Sequence, residues 1–205
     1  MKVAVVGGTG SFGQAVAKRL VDAGVEVVIG SRDAERAREA AASLGADGAN
    51  NDDAVRGVDL VVFAVNADAA VQTARDLRQS IGSTPVLSVC AELNFGPGGV
   101  KPTPEAASIA KRIEDELDAP VVAGLHSLAA ANLADAPPDE DALVCGDDAD
   151  AKAAVLELAG KITSGRAIDC GPLASARALE GLTAVIVNVN KRYKAHAGIR
   201  VTGVR

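Results

Sequence analysis

The sequence predicts an open α/β fold, a doubly wound parallel sheet with a small C-terminal α/β domain. Two observations carry this reading. Short β-rich runs alternate with Ala-rich helical patterns along all 205 residues. The β-rich runs are continuously apolar, as strands buried on both faces require. Hydrophobic residues make up 48% and aromatics only 2%, so Val, Leu, Ile and Ala must fill the interior. At about 150 residues per domain, the length allows one large domain or one with an appendage.

The elements follow in order. Val3–Val6 is a strand ended by glycine, Phe12–Ala23 a helix, and Val25–Ile29 a second strand closed by Gly30. Ala34–Leu44 reads as a helix with a charged outer face. Leu60–Val65, Val86–Val89 and Val121–Leu125 are further strands, with helices over Ala70–Gln79 and Pro104–Leu117 between them. Glu92–Pro104 is rich in Gly and Pro without an apolar period and reads as a loop at the carboxyl edge of the sheet. It either covers a substrate or is a surface excursion. Ala134–Asp141, with Pro137, Pro138 and several acids, divides residues 1–135 from a small domain at 136–205. Beyond it lie a strand at Leu143–Cys145, a helix near Asp150–Lys161, a strand at Ala167–Cys170 and a long helix from Leu173 to about Lys194. In that helix Leu179, Leu182, Ile186 and Val189 share a face, and Val185 and Val187 widen it. So broad an apolar surface needs either a second subunit or full burial within the chain.

Composition narrows the function. A net charge of −6 disfavours nucleic acid as a partner. No run approaches the roughly 18 apolar residues of a membrane span, and no signal peptide is visible, so a cytoplasmic protein is expected. Cys90, Cys145 and Cys170 are odd in number, lack C-x-x-C spacing and read as buried thiols. No metal-ligand spacing occurs. Charge is uneven: after residue 165, Arg166, Arg177, Lys191, Arg192, Lys194, Arg200 and Arg205 face only Asp169 and Glu180. Either an anionic partner or solvated helix ends account for this.

The most informative stretch is Gly7-Gly8-Thr9-Gly10-Ser11-Phe12-Gly13, placed after a strand and opening a helix. In that context Gly8-x-Gly10-x-x-Gly13 is the fingerprint of a Rossmann-type dinucleotide site. The first glycines make a tight turn, Gly10 admits a pyrophosphate to the backbone, and Gly13 permits close helix packing. Free N–H groups at the helix start favour an anion, and Thr9 and Ser11 add hydroxyls. At the tip of the second strand an NAD site would carry Asp or Glu. This chain has Ile29-Gly30-Ser31-Arg32 instead. A guanidinium with a hydroxyl beside it suits the 2′-phosphate of NADP. Arg36, one turn on, either assists or is solvated.

Acid–base machinery is scarce. His126 and His196 belong to no visible triad, and no Tyr-x-x-x-Lys pair occurs. His126 ends an apolar strand at the ligand edge, as a site residue or a satisfied structural one. Hydride transfer between two carbon centres needs alignment in a dry cleft more than a protein acid. That fits exchange between two redox cofactors better than alcohol oxidation.

Together these residues resemble the NADPH-dependent F420 reductases, also called F420-dependent NADP oxidoreductases. The matching segments are Gly7–Gly13, Gly30–Arg32, Leu125-His126-Ser127, Val144–Asp148, Gly171-Pro172-Leu173 with Arg177 and Glu180–Thr183, and Asn190–Gly198. They run from end to end of the chain. The resemblance implies reversible hydride transfer between nicotinamide C4 and C5 of the deazaflavin coenzyme F420. It also implies a Rossmann domain, a small C-terminal domain, an F420 pocket between them, and a homodimer or larger assembly. By motif, Thr9, Ser31 and Arg32 serve NADP(H), His126 and Leu128 lie near the deazaflavin ring, and Arg177 and Thr183 line its pocket. The tail of F420, a phosphate with glutamates, would suit the basic C-terminal segment. Many members have a proline after the third strand, where this chain has Ala64-Val65-Asn66-Ala67; these residues fall where nicotinamide or acceptor would sit. The other readings are an NADP-dependent reductase of another small substrate or of an F420-biosynthesis intermediate, and a non-catalytic NADP sensor.

Overall fold

Continuously apolar strands require cover on both faces, and the chain supplies it. The structure, a computed structural model, describes residues 1–204, so Arg205 of the basic C-terminal segment lies outside the described residues. β1 (Lys2–Val6) leads into α1 (Ser11–Asp22), followed by β2 (Glu26–Ser31) and α2 (Ala34–Ala42). β3 (Asp47–Asn50), α3 (Asn51–Ala54), β4 (Leu60–Phe63) and α4 (Ala67–Ile81) come next. After β5 (Val86–Ser88) come β6 (Leu93–Gly96), β7 (Gly99–Pro102), α5 (Ile109–Glu114), β8 (Val121–Gly124) and α6 (Ala130–Asp135). The last elements are β9 (Ala142–Gly146), α7 (Ala149–Ile162), β10 (Ala167–Asp169) and α8 (Ala176–Tyr193).

Eight strands form one sheet in the order β10-β9-β8-β5-β4-β1-β2-β3. Every pair is parallel except β8 with β9. The pleat of β1 shows the layering: Val3 and Val5 join a core with α1, α2 and α7, whereas Ala4 and Val6 join one with α4, α5 and the start of α8. The chain runs outward from β1 through β2 to β3, then crosses to β4 on the other side of β1. The crevice at the strand tips between β1 and β4 is therefore the topological switch point, where ligands bind in such sheets.

Several expectations change. The sheet runs on across 135/136, where the sequence suggests a joint between domains, because β9 pairs with β8 and carries β10 with it. β3, with sequence DGAN, has no apolar run. It survives as an edge strand because a Cβ on Gly48 would lie only 2.5 Å from the Ala37 backbone, so glycine alone lets α2 pack on it. The helix expected over Pro104–Leu117 shrinks to α5. Its start is fixed from a distance, since the Glu180 carboxylate accepts from the N–H of Ile109 and Ala110, both at 3.0 Å.

Glu92–Pro104 is not an irregular loop. It folds into the antiparallel β6–β7 hairpin, turning at Gly99 with φ +102°. The Asn188 carboxamide of α8 pairs with both backbone groups of Val100, at 2.8 and 2.7 Å, as a neighbouring strand would.

Candidate active site

The turn after β1 is built from glycines with different tasks. Gly7 sits at φ +81°, and a Cβ there would come within 2.7 Å of the Ala64 carbonyl oxygen. A Cβ on Gly8 would meet Ile29 and the Val5 carbonyl at 2.9 Å, and one on Gly13 would meet the Gly7 carbonyl at 2.6 Å. Packing of the protein itself demands those three. Gly10 differs. Its φ of −82° suits any residue, and its nearest neighbour to a Cβ is the Gly7 oxygen at 3.4 Å. Its missing side chain leaves room on the ligand side, at the N-cap of a helix that no side chain caps. A free helix N-terminus behind an open backbone fits a pyrophosphate.

A cleft of about 400 Å³ runs from this turn to the tip of β2, lined by Gly7, Thr9, Gly10, Ser31, Arg32, Asp33, Arg36 and Asn51, and by Ala64, Val65 and Asn66 after β4. Its one carboxylate is already employed, since Asp33 caps α2 by accepting from the N–H of Glu35 at 2.9 Å and of Arg36 at 3.3 Å. Arg32 and Arg36 are exposed, and neither has a carboxylate partner among the described residues. Two unpaired guanidinium groups beside the Ser31 hydroxyl fit a phosphate monoester far better than a bare ribose diol.

The cleft continues past Gly10, Ser11, Phe12, Ala64, Val65 and Asn66 to Val89, Cys90 and Ala91 after β5. From there Phe12, Val89 and Ala91 also line an apolar slot of about 360 Å³. Its other walls are Leu125, His126 and Leu128 after β8, Leu93 of the hairpin, Thr183, Ile186, Val187 and Asn190 of α8, and His196. Leu125 holds a left-handed backbone at φ 67°, costly for a branched residue, and so bends the chain at His126.

His126 is 5% exposed, and burial pushes its pKa down to about 4. Its Nε2 lies 2.9 Å from the Cys90 carbonyl oxygen. A carbonyl only accepts, so Nε2 carries the proton and Nδ1 is left as a buried, unpartnered acceptor. Thr183 Oγ1 is likewise buried and unpartnered. An apolar slot whose walls include two orphaned polar groups fits a flat heteroaromatic ring with polar edges. The Cys90 Sγ, 3.3 Å from the carbonyls of Phe63 and Val65, ties this wall to the tip of β4; burial raises its pKa to about 12, so it stays a thiol.

Comparison with known proteins decides the family. Residues 2–92 match the family model described as NADP oxidoreductase, coenzyme F420-dependent. The F420-dependent NADP reductases of Methanothermobacter thermautotrophicus and Methanocaldococcus jannaschii are 36% and 34% identical to it, over 100% of this chain and 96% and 99% of theirs. The chain belongs to the F420-dependent NADP reductase family. A crystal structure from Arthrobacter sp. FB24, of a protein provisionally named an F420-dependent NADP-reductase, superposes with a TM-score of 0.86 at 25% identity, covering 98% of this chain and 99% of the other.

Within this family member, the residues expected on the ligand path mostly converge. Gly7, Thr9, Gly10, Ser11, Phe12, Ser31, Arg32, Arg36, Ala64, Val65, Asn66, His126, Leu128 and Thr183 line the continuous crevice, while Gly8 and Gly13 pack behind it. Arg177 does not line the slot. Its guanidinium donates to the carbonyls of Thr103 and Glu105 and so fastens the hairpin to α8. Sequence reasoning missed Asn51, Asn190 and His196. The last arrives through the tail: the Ala197 N–H donates to Asn190 Oδ1 at 2.6 Å, and the Val201 N–H donates to Asp141 Oδ2 at 2.7 Å. Asp141 is fully buried and paired with Arg166, which holds its carboxyl well below the usual range. No residue pattern announces such long-range ties. Among the described residues, no cluster suits a metal ion and no helix is long and apolar enough to cross a membrane.

Proposed function

We propose that this protein transfers a hydride reversibly between nicotinamide C4 of NADP(H) and deazaflavin C5 of coenzyme F420. One observation carries the reading. A cleft lined by the glycine turn and two guanidinium groups joins an apolar slot through shared walls at Gly10, Phe12, Ala64, Val65, Asn66, Val89 and Ala91. A dinucleotide anchored by its phosphates in the cleft can thus extend its nicotinamide to the slot and meet a second flat substrate ring to ring. Gly10, Thr9 and Ser11 hold the pyrophosphate, and Ser31, Arg32 and Arg36 hold the 2′-phosphate. Ala64, Val65 and Asn66 flank the nicotinamide half. His126, Leu128 and Thr183 hold the acceptor ring, and Arg177 supports that pocket through the hairpin.

The chemistry asks little of protein acids. His126 is neutral near pH 7 and offers only a lone pair, so it orients an N–H or O–H edge of the ring and does not protonate it. Buried aliphatic walls exclude water from the reacting carbons, and juxtaposition supplies most of the acceleration. The outward face of α8, with Val185, Val189 and Tyr193 exposed, is the natural homodimer seam. Three free thiols suit a cytoplasmic setting.

Mixing purified protein with NADPH and F420 should bleach the deazaflavin's visible absorbance at a catalytic rate. Tight NADPH binding with no turnover of F420 would instead indicate a sensor.

A further inference from the structure

We propose that the C-terminal end of α8, at Lys191 and Lys194, is a docking strip for the polyanionic tail of the deazaflavin substrate, its phosphate and glutamate carboxylates; this rests on the reading above that the slot takes F420. The slot's wall on α8 is Thr183, Ile186, Val187 and Asn190, residues i, i+3, i+4 and i+7 on one helix face. Lys191 follows Val187 by four residues, so the same face continues into an ammonium group as it leaves the slot, and Lys194, in left-handed backbone at φ 52°, caps the helix just beyond it. Both are exposed, and neither has a carboxylate partner among the described residues.

The helix dipole alone does not explain them. The dipole favours any cation in the last turn, Arg192 as much as Lys191, and the Asn190 carbonyl already accepts from the backbone N–H of Lys194 and Ala195. Lys191 Nζ instead sits 5.3 Å from the Phe95 ring centroid, on the seam between hairpin and helix. An aromatic face holds an ammonium loosely and leaves its N–H donors free for an anion. On a chain of net charge −6, an unpaired cationic strip opening directly from an apolar slot favours a ligand with a flat head and an acidic tail. Arg192 supplies the control. Nine residues beyond Thr183, it points to the opposite side of α8, so it shares the net charge and not the strip.

The test compares two acceptors, F420 and the same deazaflavin ending at its ribityl side chain. Lys191→Glu and Lys194→Glu should each raise KM for F420 about five- to tenfold, the size of a few exposed charge contacts. KM for the tail-less acceptor and for NADPH should hold, and Arg192→Glu should leave all three unchanged. Rising salt should raise the wild-type KM for F420 and leave that for the tail-less acceptor flat. Equal losses on both acceptors, or an Arg192→Glu effect matching Lys191→Glu, would overturn the strip. A wild-type protein that reduces neither acceptor would overturn the functional reading itself, and the strip with it.

Discussion

Arg32 stands at the β2 tip with its guanidinium unpaired, and the proposed preference for NADP over NAD turns on it. Arg32→Glu removes charge-assisted bonds and sets a carboxylate against the 2′-phosphate. It should lower kcat/KM for NADPH about a hundredfold and that for NADH far less; equal losses would remove the assignment. Gly10 and Gly13 separate ligand space from packing space. Gly13→Ala drives a Cβ against the Gly7 carbonyl and should cost about 1–3 kcal/mol of stability by denaturant melts. Gly10→Ala should leave the melt unchanged and raise KM for NADPH. His126 adds a signature of its own. Its folded pKa of about 4 lies below the ordinary 6.5, so the unfolded chain takes up more protons between those values and stability falls as pH drops through that window. The full effect is about 3 kcal/mol. His126→Gln should lose that component of acid destabilisation in melts from pH 7 to pH 4; an identical pH profile would place the imidazole outside the core. The position of the glycine turn, Ser31 and Arg32 at the crevice was legible in the sequence because it follows from local backbone and chain order. His196 and Asn51 were not, since only tertiary contacts bring them to the crevice.

At the scale of elements, α8 organises the apolar slot proposed for the acceptor. One face lines the slot, a second grips the β6–β7 hairpin through Asn188 and Arg177, and a third stays apolar and exposed. Asn188→Asp keeps an acceptor for the Val100 N–H but sets a carboxylate against the Val100 carbonyl. It should loosen the hairpin, speed proteolysis within residues 93–102, and raise KM for F420 several-fold with KM for NADPH held. Unchanged acceptor kinetics would make the hairpin a mere surface excursion. The sequence hid this hairpin because its stabilising partner lies 88 residues away on a helix. The start of α5 rests on an equally distant tie, Glu180 being 71 residues from Ile109, and on a local one, the Ser108 hydroxyl accepting from the N–H of Lys111 at 3.0 Å.

For the whole molecule, strand alternation and continuous apolar runs made the layered α/β plan legible. The antiparallel joint at β8–β9 was not, because the direction of a strand leaves no mark on its composition. The exposed stripe of Val185 (55%), Val189 (36%) and Tyr193 (69%) belongs to this scale. Val185→Glu with Val189→Glu should convert a dimer to monomers in light scattering; a monomeric wild type would refute that seam. The account stands on the proposal that one crevice brings two rings face to face at their reacting carbons, and isotope transfer tests it most directly. With NADPH deuterated at C4 on the transferred position, a single turnover in ordinary water should place deuterium at C5 of F420. Reduced F420 without deuterium at C5 would contradict direct transfer across this crevice.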